Sequence, residues 1–298
     1  HRPTFRVTSK KSKLIHTTAI AERLEKFLSP GPGRELGREA PEQPFVVRVD
    51  HDVFSVSVDA SGQSLHQRGW RTETGVAPLR PTMAAALLLA SGWDAETPLA
   101  DPFCGSGTIA IEAALMAMRL PPGGDRDFAF AHWPDFEPGT WASVAGSVGP
   151  NVREELPFAI EASDRDGAAV ELTKANALRA GVEDQIQIEE RVISHLPGHG
   201  GQGLVATNPP YGKRVGDGDL KALYKRMGST IRDRRPQWGL SVVAADRKLV
   251  RLIDSRLKPI GGYSHGGTNV QMFTRAGSAP VATTAPRRPA SGPPDAIS

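Results

Sequence analysis

The chain has 298 residues, of which 23% are charged, and a formal net charge of +3. This length allows one large domain or two ordinary ones with a sizeable core. The longest apolar stretch, MAAALLLASGW, is far shorter than the roughly 20 residues that span a bilayer. The polar start lacks the apolar core of a signal peptide, and the single cysteine, Cys104, has no disulfide partner. We therefore expect a cytoplasmic protein with no membrane anchor.

The first 72 residues have the pattern of a small α+β module. TFRVTS alternates as a strand, TTAIAERLEKFL has apolar residues at helical spacing, and PFVVRVDHDVFSVSV reads as two strands around a tight turn. Residues 1–30 contain seven arginine and lysine side chains against two glutamates. Such a segment favours a polyanion such as nucleic acid, although an ordinary solvated basic surface would look the same.

From residue 73 to residue 275, helical stretches alternate with short apolar strands, which predicts a parallel sheet covered by helices. The predicted strands lie in PLADPF, FAIEASD, IQIEERVI, GLVATN and GLSVVAAD, and YSHGGTNVQMFTR predicts a hairpin. The aromatic segment between RL and FAIEASD is too apolar for a linker, so we expect it to pack on the domain. Residues 276–298, rich in Pro, Ala and Ser, are predicted to be a disordered tail.

The first motif with chemical content is DPFCGSGTIA, which begins at Asp101. Gly105 and Gly107 allow a tight turn whose backbone amides, with the helix N-terminus behind them, suit a nucleotide-like cofactor. No Gly-Lys-Ser/Thr follows, so a P-loop is excluded. Gly105, Gly107 and Ala110 do satisfy the dinucleotide fingerprint, which leaves an NAD site open.

Two carboxylates favour a different cofactor. Asp101 precedes the glycines and would repel a pyrophosphate, but it suits a cofactor with a cationic amino-acid end, such as S-adenosylmethionine. Asp164 ends the next strand and would hold ribose hydroxyls through charge-assisted hydrogen bonds. The alternative for both residues is helix or turn capping.

The second motif is NPPY, which follows the fourth predicted strand. In a doubly wound sheet this strand lies beside the first, so Asn208 is expected next to the Gly-rich turn. The side-chain oxygen of Asn208 and the carbonyl of Pro209 can each accept one hydrogen of a nucleobase amine, and the rigid prolines Pro209 and Pro210 fix that carbonyl. Tyr211 offers a face on which an extruded base can stack. Without its context, the same motif would be a rigid turn.

Other candidates have less support. The stretch LHQRGWR places Arg68 and Arg71 around Trp70, which suits RNA but also suits a packed tryptophan with solvated arginines. The histidines have no metal spacing, so no metal is predicted, and no Ser-His-Asp triad can be placed.

With these residues in view, DPFCGSGTIAIEAALMA, SDRDGAAVELTKANALRAG and NPPYGKRVG resemble the class I methyltransferase domain of the THUMP-containing RNA guanine-N2 methyltransferases. TFRVTSKKSKLIHTTAIAERL and FSVSVDASGQSLHQRGWR resemble the later part of the THUMP module and its junction. The resemblance implies a Rossmann-like seven-stranded fold, a partial THUMP-like module over residues 1–72, S-adenosylmethionine as donor, and methylation of guanine N2 in ribosomal or transfer RNA, with DNA the less favoured partner.

The resemblance also assigns the site residues. The residues assigned to catalysis are Asn208, Pro209, Pro210 and Tyr211. Those assigned to the cofactor are Asp101, Phe103, Cys104, Gly105, Ser106, Gly107, Asp164, Arg165 and Glu190. Those assigned to the substrate are Arg68, Trp70, Arg71, Lys213 and Arg214.

Two departures from the family pattern stand out. Where the family often has an acid that accepts a hydrogen bond from the adenine amine, this chain has Val192. We consider Glu190 as the residue that takes this role instead. The family also has further chain upstream of TFRV, including a ferredoxin-like part.

Three other functions remain open at this point. An adenine-N6 or cytosine-N4 methyltransferase acting on RNA or DNA would use the same loop, because that loop suits any exocyclic amine. A non-catalytic RNA-binding protein would retain the fold without the reaction, and an NAD-dependent oxidoreductase would use the Gly-rich turn differently.

Overall fold

The structure, a computed structural model, describes residues 2–28, 42–71, 79–123, 126–147, 151–211, 217–265 and 268–277. The predicted boundary between residues 72 and 73 lies outside the described residues, as does the predicted tail 276–298 apart from its first two residues. None of the helices in the described ranges has both the length and the apolarity that a bilayer span requires.

The N-terminal module is a three-stranded sheet with one helix. β1 (Arg2–Lys10) leads to α1 (Thr17–Leu28), and β2 (Glu42–Asp50) and β3 (Val53–Val58) follow. β1 pairs with β2 in parallel, and β2 pairs with β3 antiparallel. His51 and Asp52 connect β2 to β3 with φ values of 49° and 60°, the left-handed conformation that suits a tight hairpin turn. All four elements agree with the sequence prediction.

The second sheet has seven strands in the order β6-β5-β4-β7-β8-β10-β9. β4 to β8 are parallel, and β10 runs antiparallel to both β8 and β9. The strands are β4 (Leu99–Asp101), β5 (Ile160–Asp164), β6 (Ile186–Glu190), β7 (Leu204–Thr207), β8 (Gly239–Ala244), β9 (Lys258–His265) and β10 (Thr268–Arg275). The helices are α2 (Pro81–Ala90), α3 (Thr108–Ala117), α4 (Pro138–Gly146), α5 (Gly167–Arg179), α6 (Asp217–Arg234) and α7 (Arg247–Ile253). This confirms the Rossmann-like fold.

Both faces of this sheet are covered. Successive strand residues alternate between two apolar cores, with Leu99 and Val243 in one core and Ala100 and Val242 in the other. The first core contains residues of α2 and α3, and the second contains residues of α6 and α7. A parallel sheet buried on both faces needs near-continuous apolar strands, as in LAD and GLSVVA.

The aromatic segment that follows α3 contacts both parts of the protein. Its Phe130 amide donates to the Ala60 carbonyl at 3.1 Å, and Trp133 Nε1 donates to Gln43 Oε1 at 2.6 Å. On the other side, the Arg153 amide donates to the Met118 carbonyl at 2.9 Å. The segment therefore packs on the domain of the seven-stranded sheet, as expected, and also joins this domain, the catalytic domain below, to the N-terminal module.

Candidate functional site

The Gly-rich turn follows β4 and leads into α3. Gly105 and Gly107 have φ values of 54° and 80°, and Gly107 forms the N-cap of α3. A Cβ at Gly107 would lie 2.7 Å from Thr173 Cγ2 and 3.1 Å from Ile111 Cδ1, so position 107 has neither the conformation nor the space for a side chain.

The carbonyl groups of this turn are held by α5. Thr173 Oγ1 donates to the Gly105 carbonyl and Asn176 Nδ2 donates to the Ser106 carbonyl, each at 2.9 Å. Both side chains are fully buried. Sequence reasoning missed these two residues, although polar residues on the inner face of a helix are a signal of such contacts.

The amides of the turn differ from the expectation of bare N–H groups facing a ligand. The Phe103 amide donates to Asp101, the Cys104 amide to the Ser163 carbonyl, and the Gly105 amide to Asp164. The Gly107 amide donates to the Cys104 carbonyl, because the turn folds back on itself. The expectation of bare N–H groups was therefore wrong for Gly105 and Gly107, and a turn of this kind is a poor cradle for a pyrophosphate.

Asp101 is buried at the end of β4, with 1% of its surface exposed. Its Oδ1 accepts from Thr207 Oγ1 at 2.6 Å and from the Phe103 amide at 3.2 Å. Within the described ranges, no donor reaches Oδ2. Burial raises the pKa of Asp101 to about 7, with a further contribution from Asp164, and the two hydrogen bonds oppose this rise. A buried carboxyl of this kind favours a cationic ligand.

Asp164 and Glu190 end neighbouring strands and are paired in register. Asp164 Oδ2 accepts from the Gly105 amide and its Oδ1 accepts from the Asp166 amide, each at 3.1 Å. The Glu190 side chain lies over the start of α5. A Cβ added at Gly167, the first residue of α5, would be only 2.8 Å from Glu190 Oε2. Two carboxylates thus line the edge of the sheet beside the Gly-rich turn. Arg165 is exposed next to them, and Val192 is 40% exposed.

The NPPY loop begins where β7 ends, and β7 pairs directly with β4. The bond from Thr207 to Asp101 therefore joins the two motifs. Asn208 Oδ1 is buried and accepts no hydrogen bond from any described residue. Pro209 is buried and Pro210 is exposed. The Asn208 side chain thus presents an unused acceptor beside Asp101, and leaving a buried acceptor unused costs about 1–3 kcal/mol.

Two further tyrosines lie around this loop. Tyr224 of α6 is fully buried, and its hydroxyl donates to the Pro210 carbonyl at 3.3 Å. Tyr263 of β9 and the partly buried Tyr211 pack against the same apolar core. Burial and the neighbouring Tyr211 raise the pKa of both Tyr224 and Tyr263. Sequence reasoning missed Tyr224 and Tyr263, which are 13 and 52 positions further along the chain than Tyr211.

The arginine and tryptophan side chains of the stretch LHQRGWR mostly form contacts within the protein. Arg68 forms two hydrogen bonds with the buried Glu112, and Trp70 is only 6% exposed. Arg71 donates to the Leu79 carbonyl at 2.7 Å. The alternative of a packed tryptophan fits these contacts better than an open stacking surface does. Lys213 and Arg214, also assigned to substrate, lie outside the described residues.

The part of the chain that the structure describes contains no group of three or more His, Cys, Asp or Glu side chains placed to hold a metal ion. Cys104 is buried, and burial raises the pKa of its thiol. Its sulfur contacts Thr173 Oγ1 at 3.5 Å. This environment indicates a packed residue of the turn.

Comparison with known proteins gives a consistent picture. Residues 68–261 match the family described as "RMKL-like, methyltransferase domain". The ribosomal RNA large subunit methyltransferase K/L of Vibrio parahaemolyticus is 38% identical over 220 residues, which are 72% of this chain and 31% of that protein. The chain thus spans about a third of the length of this curated relative.

Two solved structures are similar over most of the chain. SMU.472, a candidate methyltransferase complexed with SAH, has a TM-score of 0.80 and 29% identity over 93% of this chain and 76% of that chain. A "predicted N6-adenine-specific DNA methylase" from Listeria monocytogenes has a TM-score of 0.76 and 29% identity over 91% of this chain and 73% of that chain.

Proposed function

This chain belongs to the family of RMKL-like methyltransferase domains, and we propose that it transfers a methyl group from S-adenosylmethionine to an exocyclic amine of a nucleobase. Guanine N2 in structured RNA is the proposed acceptor. The observation that carries the proposal is the buried, unused acceptor of Asn208, which lies one residue from the hydrogen bond between Thr207 and Asp101.

The residues at the edge of the sheet fit the proposed donor. SMU.472 holds SAH, which is S-adenosylmethionine without its methyl group. In this chain, Asp101 Oδ2 would accept from the ammonium group, Asp164 would hold the ribose hydroxyls, and Glu190 would accept from the adenine amine. When bound, S-adenosylmethionine supplies an electrophilic methyl group on a sulfonium centre.

The chain itself would contribute positioning and electrostatics. An exocyclic amine is a poor nucleophile, because its lone pair is delocalised into the base. Asn208 Oδ1 and the Pro209 carbonyl would each accept one amine hydrogen and so direct the lone pair at the methyl group. Tyr211 would stack on the extruded base. Such an arrangement needs no strong general base.

The preference for RNA over DNA rests on the relative and on the N-terminal module. The relative from Vibrio parahaemolyticus is a ribosomal RNA methyltransferase. Residues 1–72 would be part of a THUMP-like RNA-binding module, and their basic start suits a polyanion. A cytoplasmic location would follow from a ribosomal or transfer RNA substrate.

A second candidate is methylation of adenine N6 or cytosine N4. The name of the Listeria monocytogenes structure favours it, and the loop suits any exocyclic amine. An NAD-dependent reaction has less support, because the amides of Gly105 and Gly107 in the Gly-rich turn already donate to groups of the protein.

The test is mass spectrometry of nucleosides after incubation of the protein with S-adenosylmethionine and unmodified ribosomal RNA, transfer RNA or DNA. The proposal expects N2-methylguanosine in RNA. Finding only N6-methyladenine in DNA would establish the second candidate instead. Tight binding of NADH without binding of S-adenosylmethionine would favour an oxidoreductase.

A further inference from the structure

A groove of about 1110 Å³ lies between the N-terminal module and the catalytic domain. One wall contains Glu42, residues 62–63 and residues 66–71, and the other contains Arg80, Arg126 and Arg179. Sites for small molecules usually occupy about 300–1,000 Å³, so this groove suits an extended occupant.

The groove has an excess of positive charge. Among the residues that the structure describes, only one of its five arginines, Arg68, is paired with a carboxylate. Of its two acids, Glu42 pairs with Arg2 and Asp127 hydrogen-bonds with His132, so at most one acid charge opposes the four remaining arginines. Of the remaining arginines, Arg71, Arg126 and Arg179 donate to carbonyl or amide oxygens, which leave their positive charges in place, and Arg80 has no ion pair with a described residue. Concave surfaces of one sign attract ligands of the opposite charge.

Three of the basic side chains form a cluster. Burial lowers the pKa of His66, and the positive charges of Arg80 and Arg71 lower it further, so both arginines lie within electrostatic reach of His66. Arg80 is exposed and forms no ion pair with any described residue. Arg71 Nε is buried and has no acceptor in the described ranges. This cluster has unused donors for an anion.

The cluster continues towards the NPPY loop. Arg80 interacts electrostatically with Tyr263 and opposes the rise of its pKa, and Tyr211 is the other neighbour that affects this tyrosine. Arg80 is therefore within electrostatic reach both of His66 in the groove and of Tyr263, which packs on the same apolar core as Tyr211. A nucleic-acid segment that contacts Arg80 would lie near these tyrosines.

We propose that this groove binds the sugar-phosphate backbone of a single-stranded nucleic-acid segment, and that Arg80 contacts a phosphate next to the nucleotide whose base stacks on Tyr211. The position of that base rests on the proposed function, but the binding of the backbone does not. Arginines whose charges no carboxylate neutralises attract phosphates, and the groove is much larger than a single free anion.

The experiment is fluorescence anisotropy of a labelled single-stranded RNA with the full chain at several salt concentrations. Arg80→Glu is the test variant. Arg251→Glu is the matched control, because Arg251 is an exposed arginine on α7, on the opposite face of the sheet. We expect Arg80→Glu to raise the dissociation constant about tenfold, and Arg80→Ala to reduce the salt slope by roughly 0.7, the value for one phosphate contact to a single strand.

Three further readouts separate the groove from the reaction. Arg80→Glu should bind S-adenosylmethionine as the wild type does, which shows that it folds. Weaker RNA binding by Arg80→Glu than by the wild type would support the groove whether or not the wild type transfers a methyl group, so failure of the proposed function leaves the groove supported. Equal losses in Arg80→Glu and Arg251→Glu, wild-type binding without salt dependence, or displacement of RNA by polyglutamate as readily as by unlabelled RNA would overturn the proposal.

Discussion

Asp101 is a carboxyl group that the fold buries at a cost to stability. Burial holds its pKa near 7, above the value of about 3.9 in an unfolded chain. The folded protein therefore binds more protons than the unfolded chain between about pH 4 and pH 7, so this group lowers stability as the pH rises through that range. Glu112, with a pKa also raised to about 7 by burial, contributes in the same direction.

The variant Asp101→Asn separates the loss of stability caused by burying an ionised carboxyl from the proposed role of Asp101 in cofactor binding. Asparagine keeps an oxygen that can accept from Thr207 and Phe103, but it cannot become charged. We expect a higher melting temperature than the wild type at pH 8 and a smaller difference at pH 5. The affinity for S-adenosylmethionine should fall roughly 10- to 100-fold, since a hydrogen bond to a charged group contributes about 1.5–3 kcal/mol. Calorimetry measures both quantities.

Asp233→Asn is the matched control, because Asp233 is an exposed carboxyl on α6. Asp233→Asn should change neither the melting temperature nor the affinity for S-adenosylmethionine. An Asp101→Asn variant that binds S-adenosylmethionine normally would remove Asp101 from the cofactor site.

The wild type should also show a pH-dependent affinity for S-adenosylmethionine. Ionised Asp101 attracts a cation, and protonated Asp101 does not. The affinity should therefore weaken by up to about tenfold per pH unit as the pH falls below 7. Isothermal titration between pH 5.5 and 8.5 measures this dependence, and a flat profile would contradict it. In Asp101→Asn the dependence on this group should be absent.

At the scale of residues, the sequence predicted the polar side chains of the site but not the residues that position the site through hydrogen bonds. Asp101, Asp164 and Asn208 stand at the ends of apolar strands, and that pattern alone predicts the edge of a sheet. Thr173 and Thr207 lie inside regular elements, where a threonine has no special pattern. Their contacts span 68 and 106 positions, so only the folded chain reveals them.

The turn between β4 and α3 depends on a glycine at its last position. Gly107→Ala would place a Cβ 2.7 Å from Thr173 Cγ2 in a left-handed conformation. We expect a loss of more than about 1 kcal/mol in the free energy of unfolding, because alanine is strained wherever φ is positive. The affinity for S-adenosylmethionine should also fall, because Thr173 holds the turn. Chemical denaturation and ligand titration measure the two effects.

Gly139→Ala provides the contrast. Gly139 lies in α4, and a Cβ there would meet nothing within 4 Å. Alanine should stabilise the protein by about 0.4–1 kcal/mol. Equal effects of the two substitutions would show that the geometry of the turn is not the cause.

At the scale of elements the sequence predicted the alternation of strands and helices but missed α4 and α7. α4 buries no residue, so it has no apolar periodicity to detect. α7 has only seven residues, and its clearest signal is the capping Asp246, which accepts from the Lys248 amide at 2.7 Å. Short helices are defined by such caps and by packing against the sheet more than by their own pattern.

The N-terminal module and the catalytic domain are joined through one side chain in particular. Both terminal nitrogens of Arg126 donate to carbonyls of the loop that follows β3, those of Ser61, Gln63, Ser64 and Gln67. The same loop forms one wall of the groove. Arg126 therefore holds the wall in place.

Arg126→Ala tests this connection. We expect faster amide hydrogen exchange in residues 59–68, because those carbonyls lose their donors, while the affinity for S-adenosylmethionine remains unchanged. Arg119→Ala is the control. It removes an exposed ion pair with Glu96, and such pairs contribute about 0–1 kcal/mol. Unchanged exchange in Arg126→Ala would show that other contacts hold the loop.

At the scale of the molecule the sequence predicted two modules but not how they meet. Arg126 stands in an aromatic segment that we expected to pack on one domain, and its partners lie 59 to 65 positions away. Composition cannot reveal such pairings, and the groove that results from them is a property of the assembled chain.

The central claim is that the NPPY loop beside Asp101 performs methyl transfer. The most direct measurement is the rate of transfer of a labelled methyl group to unmodified RNA by the wild type and by the double variant Asn208→Ala, Tyr211→Ala, together with the affinity of each for S-adenosylmethionine. The account predicts that the double variant retains the affinity and loses at least about 100-fold in rate. Turnover that survives both substitutions would contradict it.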